Sequence, residues 1–270
     1  MFGIALDLPW SKFKAVFKQP KSIIAGLTAQ LILLPLFTYF LIIVFKPQAS
    51  IALGMILIAS CPGGNISNFI SYLANANIAL SICLTTITSL GSIIFTPLNF
   101  AFYGQRYEPT REILQVISLN WLEVIQTIGL IILLPILIGT IVKTKAPKLA
   151  LMLAKPIEKI SMLLFIMIVI GALFLNLEYF KECISAVFVL VLLHNTGAIA
   201  IGFVISKSLK LPWADIKSIS IETGIQNSGL GLLIIFSFFS GLGGMAIVAA
   251  WWGIWHMISG FGISYIWRKK

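Results

Sequence analysis

The chain has 270 residues, of which 59% are hydrophobic and only 10% are charged, and its mean hydropathy is +1.02. An average soluble domain carries about 25% charged residues, so this composition excludes a water-soluble fold. The net charge of +10 is not gathered into a basic, aromatic-rich domain, which excludes a nucleic-acid-binding protein. Apolar runs of about 20 residues, each long enough to cross a lipid bilayer, recur along the sequence. Residues 1–270 are therefore predicted to form a single all-α polytopic membrane domain.

The predicted elements begin with a short stub at residues 1–9. A linker at residues 10–21 follows, in which lysines interleave with phenylalanines, a pattern typical of an amphipathic segment that lies along the membrane surface. Eight membrane spans come next, joined by short and mostly polar or basic connections. The spans are predicted at residues 22–45, 48–73, 77–103, 115–143, 157–177, 182–206, 212–238 and 243–267.

Basic residues are distributed unevenly between the two predicted sides of the membrane. Lys and Arg near span ends are retained preferentially on the cytoplasmic side. When the linker is placed in the cytoplasm, only four of the 19 basic residues fall outside, namely Lys46, Arg106, Arg111 and Lys181. This asymmetry predicts a multi-pass protein of the inner (plasma) membrane with a cytoplasmic C-terminus.

Two spans contain polar, glycine-rich sequences near mid-depth. Span 48–73 has Cys-Pro-Gly-Gly-Asn-Ile-Ser-Asn at 61–68, and span 212–238 has Glu-Thr-Gly-Ile-Gln-Asn-Ser-Gly at 222–229. Proline removes a backbone donor and glycine favours non-helical dihedral angles, so both helices are predicted to be broken there. Unwound backbone is tolerated at membrane depth only where it lines a protein-buried or wet cavity. The two breaks therefore predict a binding site.

The breaks hold corresponding places, because each lies in the next-to-last span of its half. Repeats of five helices are inverted relative to each other, and inverted repeats with paired discontinuous helices are characteristic of secondary transporters. Compared with the second half, the first half lacks about one and a half helices before Met1. An N-terminal helix is therefore predicted to be missing: either the chain is a truncation or the protein begins late.

Glu222 is the only acidic residue predicted deep inside a span. An ionisable group at that depth costs roughly 2.5–3.5 kcal/mol by insertion scales unless it is paired or solvated. Because no Lys or Arg lies at similar depth, a bound metal ion or a proton is the available partner. Sodium is a hard cation that prefers oxygen ligands, such as carboxylates, hydroxyls and the bare carbonyls of an unwound helix.

Further polar side chains are predicted to point towards the breaks. Gln30 is a lone amide in an apolar stretch, and Gln226 follows Glu222 at i, i+4, so that the two are predicted to share a helix face. A stripe at i, i+4, i+7 and i+11 in span 77–103 is also expected to face the broken helices. Its members are Ser81, Thr85, Thr88 and Ser92.

The two break motifs, together with Tyr-Leu-Ala at 72–74 and Asn-Ile-Ala-Leu-Ser at 77–81, resemble the bile acid:sodium symporter family, particularly its bacterial branch. The resemblance covers nearly the whole chain. It implies that a core domain (about 48–103 and 182–267) moves against a panel domain (about 1–45 and 115–177) to give alternating access, with two Na⁺ bound where the broken helices cross. Carried onto matching positions, one ion is held by Ser67, Asn68, Ser81, Thr85 and Glu222. The second ion is held by Gln30, Glu222, Gln226 and the backbone carbonyls of Thr223 and Ile225.

The substrate implied by the resemblance is a small organic anion, which neutralises the net positive charge of two Na⁺ on one carboxylate. Asn65, Asn227 and His256 are the residues expected to bind it. Asn65 and Met257 depart from the family's bacterial motifs, which often have Thr and Asn there, so the sequence does not specify the anion or the oligomeric state.

The residues are also compatible with other functions. A carrier of the same architecture would use Glu222 for proton coupling, and an exporter of an oxyanion such as arsenite would place Cys61 near the break. An intramembrane enzyme using Glu222 or His194 is disfavoured because the sequence lacks the His-Glu-x-x-His and Gly-x-Ser-x-Gly motifs and paired intramembrane aspartates. The chain is therefore predicted not to be an enzyme. His194 is interpreted as a packing residue.

Overall fold

The computed structural model of the chain describes residues 20–117, 120–175 and 177–268. The predicted stub and all but the end of the predicted linker lie outside these residues. The described residues form twelve α-helices and one π-helical segment. They are α1 (Pro20–Thr28), the π-helical segment (Ala29–Leu33), α2 (Leu34–Phe45), α3 (Ala49–Ser60), α4 (Ile66–Leu73), α5 (Ile78–Gly104), α6 (Glu108–Ile117), α7 (Trp121–Lys145), α8 (Pro147–Leu175), α9 (Leu177–Ser208), α10 (Trp213–Gly224), α11 (Ser228–Phe238) and α12 (Gly243–Arg268).

The chain is an all-α polytopic membrane protein. Five helical stretches of the described chain are long and apolar enough to cross a bilayer, and two shorter apolar helices, α3 and α11, accompany them. The five stretches are Pro20–Phe45, Ile78–Gly104, Leu122–Lys145, Ile184–Ser208 and Gly243–Arg268.

Two predicted span boundaries are wrong. The span predicted at 115–143 starts only at Trp121, because Glu108–Ile117 forms the separate helix α6 and the side chain of Asn120 caps α7 by accepting from the Leu122 N–H at 3.1 Å. The span predicted at 157–177 begins much earlier, at Pro147. Proline suits the first position of a helix, where its missing N–H has no intrahelical partner in any case.

The first described span, Pro20–Phe45, is a continuous helix with a π-helical segment in its middle. Pro35 has no backbone N–H, so the carbonyl of Leu31 loses its usual i+4 donor. The side-chain amide of Asn99, on α5, donates to that carbonyl instead, at 3.0 Å. The π-helical segment carries Gln30 and turns it into the protein, where only 1% of its surface is exposed.

Both predicted helix breaks are confirmed. The first separates α3 from α4 between Ser60 and Ile66, and the second separates α10 from α11 between Gly224 and Ser228. The two unwound segments run antiparallel and pair with each other through a bridge between Gly63 and Gln226. The N–H of Gly64 donates to the Ile225 carbonyl at 2.7 Å, and the N–H of Asn227 donates to the Pro62 carbonyl at 2.8 Å. Each break thus satisfies backbone groups that the other leaves unpaired.

Helix α3 leads into the first break from the centre of the protein. Every residue from Ile51 to Ser60 is buried. A Cβ on Gly54 would lie 2.9 Å from the Met245 Cα on α12, and a Cβ on Gly244 would collide with the Ser50 side chain. Small residues let membrane helices approach this closely, and the resulting packing holds the start of the break in place.

At one end of the bundle, helices are connected by hydrogen bonds around Asn77, which precedes α5. Its amide nitrogen donates to Asp215 at 2.8 Å, its backbone N–H donates to the Ala214 carbonyl at 3.1 Å, and its carbonyl accepts from the Ser218 hydroxyl at 2.8 Å. The hydroxyl of Ser22, on α1, donates to the other oxygen of Asp215 at 2.6 Å. The beginnings of α1, α5 and α10 are therefore joined.

Lys217 adds a buried cation to this end of the bundle. It is only 3% exposed, and its Nζ donates to the carbonyls of Ala74 and Trp267 at 2.9 Å each. These carbonyls lie at the C-terminal ends of α4 and α12, where the helix dipole favours a positive charge. Lys217 thus ties α10 to the ends of two other helices.

We expect Lys217→Met to lower the free energy of unfolding by about 1–3 kcal/mol, because it leaves buried carbonyls without a donor. Lys217→Arg should lose less, since the guanidinium still donates. Lys207→Met, which removes an exposed lysine of α9, is the control and should change stability by no more than about 0.5 kcal/mol. Denaturant unfolding of the purified variants measures the difference. Equal stability of the Lys217→Met and Lys207→Met proteins would contradict the role given to Lys217.

Candidate cation site at the helix crossing

Glu222 lies in the last turn of α10, at the edge of the second break, and is 1% exposed. Three hydroxyl groups donate to its carboxylate. Ser67 and Ser81 donate to Oε2 at 2.5 and 3.1 Å, and Thr85 donates to Oε1 at 2.6 Å. None of these partners carries a positive charge. The carboxylate therefore lies buried among neutral oxygen groups.

The oxygen lone pairs around Glu222 outnumber the hydroxyl protons that reach them. Asn68 presents its Oδ1 to the hydroxyls of Ser81 at 2.8 Å and Thr85 at 3.3 Å, and the Ser81 carbonyl also faces the Thr85 hydroxyl at 3.0 Å. Each hydroxyl has a single proton. The three hydroxyls of Ser67, Ser81 and Thr85 thus offer three protons to the two carboxylate oxygens and Asn68 Oδ1, each of which has two lone pairs. A surplus of oxygen lone pairs is the environment that a hard cation completes.

The polar stripe of α5 faces the breaks over three of its four members. Ser81 and Thr85 contact Glu222, and the Thr88 hydroxyl accepts from the Gly63 N–H of the first break at 3.3 Å. The Ser92 hydroxyl donates to the Ser89 carbonyl of its own helix at 2.7 Å, as a buried serine in a membrane helix can. Its orientation towards the broken helices stays a prediction.

Gln30 and Gln226 meet on the other side of the crossing. The Gln30 amide nitrogen donates to Gln226 Oε1 at 3.3 Å, and the Gln226 amide nitrogen donates to the Thr223 carbonyl at 2.9 Å. Oε1 of Gln30 is buried and finds no hydrogen-bond partner in the part of the chain that the structure describes. A buried acceptor without a donor is expensive, and a cation would satisfy it.

The predicted helix face shared by Glu222 and Gln226 is wrong, because α10 ends at Gly224 between them. Ile225 has extended backbone, with φ −115° and ψ 98°. Gln226 reaches the crossing through its backbone pairing with Gly63. The two side chains thus reach the crossing for a reason other than helical periodicity.

The glycines of the first break leave room for the converging side chains. A Cβ on Gly63 would collide with Oε1 of Glu222 and would lie 3.3 Å from Nε2 of Gln30. A Cβ on Gly64 would lie 2.9 Å from the Gln226 carbonyl oxygen. Glu222, which is predicted to bind both ions, and Gln30, which is predicted to bind the second, therefore meet over the same glycine.

The three residues predicted to bind substrate lie in different settings. Asn65 is exposed at the start of α4. Asn227 is half-buried, and its side-chain oxygen caps α11 by accepting from the Leu230 N–H at 3.0 Å. His256 is 4% exposed on α12, and its Nδ1 has no hydrogen-bond partner among the described residues. Their role in substrate binding stays a prediction.

Two residues next to the second break were missed as site residues. Asn195, on α9, donates to the Gly224 carbonyl at 2.6 Å, and Ser259, on α12, donates to Asn195 Oδ1 at 2.6 Å. The sequence carried a signal for Asn195, which is an amide in the apolar span 182–206. No local pattern distinguishes Ser259 from other serines of membrane helices.

The family model described as the Sodium Bile acid symporter family matches residues 1–183. An uncharacterised sodium-dependent transporter of Bacillus subtilis (strain 168), YocS, is 33% identical over 270 residues, which cover all of this chain and 81% of that protein. The chain belongs to the sodium bile acid symporter family. Its members are transporters, so this protein is a membrane transporter and not an enzyme.

Proteins of eukaryotes are also similar to this chain. The probable chloroplastic sodium/metabolite cotransporter BASS1 of Arabidopsis thaliana is 28% identical over 271 residues, covering all of this chain and 65% of the plant protein. The P3 protein of Homo sapiens is 29% identical over 239 residues, covering 87% of this chain and 48% of the human protein. The chain thus spans between about half and two thirds of the length of these two relatives. The family model ends before the second break, whereas the Bacillus alignment includes Glu222.

Proposed function

We propose that this protein is a sodium-coupled symporter that imports a small organic anion by alternating access, with two Na⁺ bound at the crossing of its broken helices. The observation that carries the proposal is the buried Glu222 carboxylate, whose partners are neutral hydroxyls that offer fewer protons than the oxygens around them can accept. The proposal also draws on relatives named a sodium-dependent transporter and a sodium/metabolite cotransporter.

The first Na⁺ would be held by Ser67, Asn68, Ser81, Thr85 and Glu222. These five side chains form one hydrogen-bonded group drawn from α4, α5 and α10. All of them present oxygen, which a hard cation prefers. A Na⁺ among them would let the hydroxyl protons turn outward while their lone pairs face the ion.

The second Na⁺ would lie on the Gly63 side of the crossing, with Gln30, Glu222, Gln226 and the carbonyls of Thr223 and Ile225 as ligands. The buried, partnerless Oε1 of Gln30 supports this assignment. Because Glu222 would contribute to both ions, its charge would be shared between two cations. Unwound helices place bare carbonyls at such sites in other transporters.

The charge balance of this site favours a monoanion as the substrate. Two Na⁺ and one carboxylate leave a net charge of +1, which an organic anion near Asn65, Asn227 and His256 would neutralise. A neutral core domain (about 48–103 and 182–267) could then move against the panel domain (about 1–45 and 115–177). Each cycle would carry one net positive charge inward across the plasma membrane, with the C-terminus in the cytoplasm. That movement is worth about 2.3 kcal/mol per 100 mV.

Sodium linkage tests the proposal without knowledge of the substrate. We expect the unfolding temperature of the purified protein to rise with the logarithm of the Na⁺ concentration, with choline keeping the ionic strength constant. For one site, 100 times the Kd corresponds to about 2.7 kcal/mol of added stability. Potassium is the control cation and should give a weaker response. No response to Na⁺ would contradict sodium coupling, and a response only to pH would favour the proton-coupled alternative.

The oxyanion exporter gains no support from the position of Cys61. Its side chain is 1% exposed at the end of α3, and its Sγ lies 3.7 Å from the Cβ position of Gly231 on α11. A Cys61→Ser variant should therefore keep its sodium response.

A further inference from the structure

Three consecutive carbonyls at the end of α10 point to three different partners. The Thr223 carbonyl accepts from the Gln226 side chain at 2.9 Å, and the Ile225 carbonyl accepts from the Gly64 N–H at 2.7 Å. Between them, the Gly224 carbonyl accepts from the Asn195 side chain at 2.6 Å. Carbonyls at a helix end have no intrahelical donor. Asn195 is the only one of these three partners that lies outside the two broken helices.

Two hydrogen bonds hold the Asn195 amide in one orientation. Its Oδ1 accepts from the Ser259 hydroxyl at 2.6 Å, which leaves the amide nitrogen to face the Gly224 carbonyl. If the amide were flipped, its oxygen would face the Gly224 carbonyl oxygen and that hydrogen bond would be lost, whereas the Ser259 hydroxyl could accept from the amide nitrogen. Asn195 is fully buried, so water does not compete for either group. The Gly224 carbonyl therefore sets which group Asn195 presents to the break, and Ser259 holds the other end of the amide.

Helix α9 is a firm support for this contact. A Cβ on Gly202 would lie 2.7 Å from the Ser220 Cα on α10, so the two backbones nearly touch. A Cβ on Gly224 would collide with the Ile199 side chain, one turn from Asn195. This packing fixes α9 against α10 along the turns that lead to the break. The Asn195 amide is thereby held at a constant distance from the Gly224 carbonyl.

We propose that Asn195, held by Ser259, is a positioning residue for the cation site. It holds the Gly224 carbonyl towards α9 and α12, so that the neighbouring carbonyls of Thr223 and Ile225 stay directed towards the crossing. The inference rests on the proposed function, in which those two carbonyls are Na⁺ ligands. Asn195 itself does not touch the ion.

The physical reason is that a buried carbonyl does not stay unpaired. Without Asn195, the Gly224 carbonyl would turn to find another donor. The rotation would pass to the peptide units on either side, because the carbonyls at the end of α10 have no intrahelical donor. The Thr223 and Ile225 carbonyls would then leave the directions in which they meet Gln226 and Gly64.

The test compares Asn195→Ala, Asn195→Asp and Ser259→Ala in the sodium titration of thermal stability. Asn195→Asp keeps the size of the side chain and, when ionised, lacks the donor. We expect both Asn195 variants to raise the Na⁺ concentration at half-maximal shift about tenfold, and Ser259→Ala to raise it several-fold. Ser264→Ala is the matched control, because that hydroxyl lies on the same helix, is buried, and donates to Phe261 of its own helix at 2.8 Å.

Hydrogen–deuterium exchange of residues 222–229 in sodium-free buffer separates this inference from the proposed function. We expect faster exchange in the Asn195 variants and Ser259→Ala, and parent-like exchange in Ser264→Ala. A parent without any Na⁺ response would overturn the proposed function and, with it, the assignment of Asn195 to a cation site. The positioning role alone would be overturned by a different result. In that case the parent responds to Na⁺, and the folded Asn195→Asp and Ser259→Ala proteins match it in half-maximal Na⁺ concentration and in hydrogen–deuterium exchange.

Discussion

Replacing Glu222 with glutamine is expected to abolish the sodium-dependent rise in thermal stability. Glutamine has nearly the same size and keeps one acceptor oxygen for the hydroxyls of Ser67, Ser81 and Thr85, so the change removes the charge and little else. Both proposed ions use this carboxylate, and the variant should therefore lose the stabilisation of both. At 100 times the Kd, that loss is about 2.7 kcal/mol for each site.

Without sodium we expect the opposite order of stability. The parent then buries a carboxylate whose hydroxyl partners carry no positive charge, and an acid at mid-membrane costs roughly 2.5–3.5 kcal/mol by insertion scales. Glu222→Gln should consequently unfold at the same temperature as the parent or higher in choline buffer. The two unfolding curves should cross as Na⁺ is added.

Asp215→Asn is the matched control for Glu222→Gln. Asp215 lies on the same helix, is 2% exposed, and accepts from Ser22 and Asn77 at the end of the bundle. Its replacement removes a buried carboxylate that has no part in the proposed cation site. In this variant the unfolding temperature should rise with the logarithm of the Na⁺ concentration as steeply as in the parent. A Glu222→Gln protein with the parent's slope would rule out the carboxylate as a shared cation ligand.

Gly63→Ala is expected to weaken sodium binding through the shape of the site alone. The added methyl group would collide with Oε1 of Glu222 and lie 2.9 Å from its Cδ, so the carboxyl group must move. That movement breaks the 2.6 Å hydrogen bond from Thr85. Hydrogen bonds to charged groups contribute about 1.5–3 kcal/mol, which corresponds to roughly a 10- to 150-fold loss of Na⁺ affinity.

The control for Gly63→Ala is Gly262→Ala on α12. A Cβ at Gly262 meets nothing within 4 Å, and alanine is favoured over glycine in a helix by about 1 kcal/mol. This variant should be at least as stable as the parent and should keep the parent's half-maximal Na⁺ concentration in the thermal titration. Unchanged sodium affinity in a folded Gly63→Ala protein would show that the carboxyl group is not confined as the structure indicates.

The positions of both breaks were predictable because their causes are local. Pro62 lacks a donor and the adjacent glycines disfavour a helix, whatever surrounds them. Glu222 stood out for an equally local reason, since a carboxylate in an apolar span is costly. Sequence reasoning failed where helical periodicity was extended across a break, as for Gln226.

The contacts of His194 agree with its interpretation as a packing residue, whereas the position of Trp252 shows a second limit. His194 is hydrogen-bonded to the Thr38 hydroxyl at 2.6 Å and packs against the Trp252 ring at a centroid distance of 4.7 Å. Trp252 is fully buried in the middle of α12, although tryptophans of membrane proteins concentrate at the interfaces. Composition does not reveal this, because it cannot tell which helix runs through the centre of the bundle.

The sequence by itself determined that this protein is an all-α membrane protein with two interrupted helices and one carboxylate at their level, because hydropathy, proline, glycine and charge act over a few residues. Only the tertiary structure decided how the interruptions pair and what holds them. The partners there are distant along the chain: Asn195 and Gly224 are 29 residues apart, Lys217 and Ala74 are 143 apart, and Ser67 and Glu222 are 155 apart. Contacts over such separations depend on how whole helices pack, which no local pattern reports.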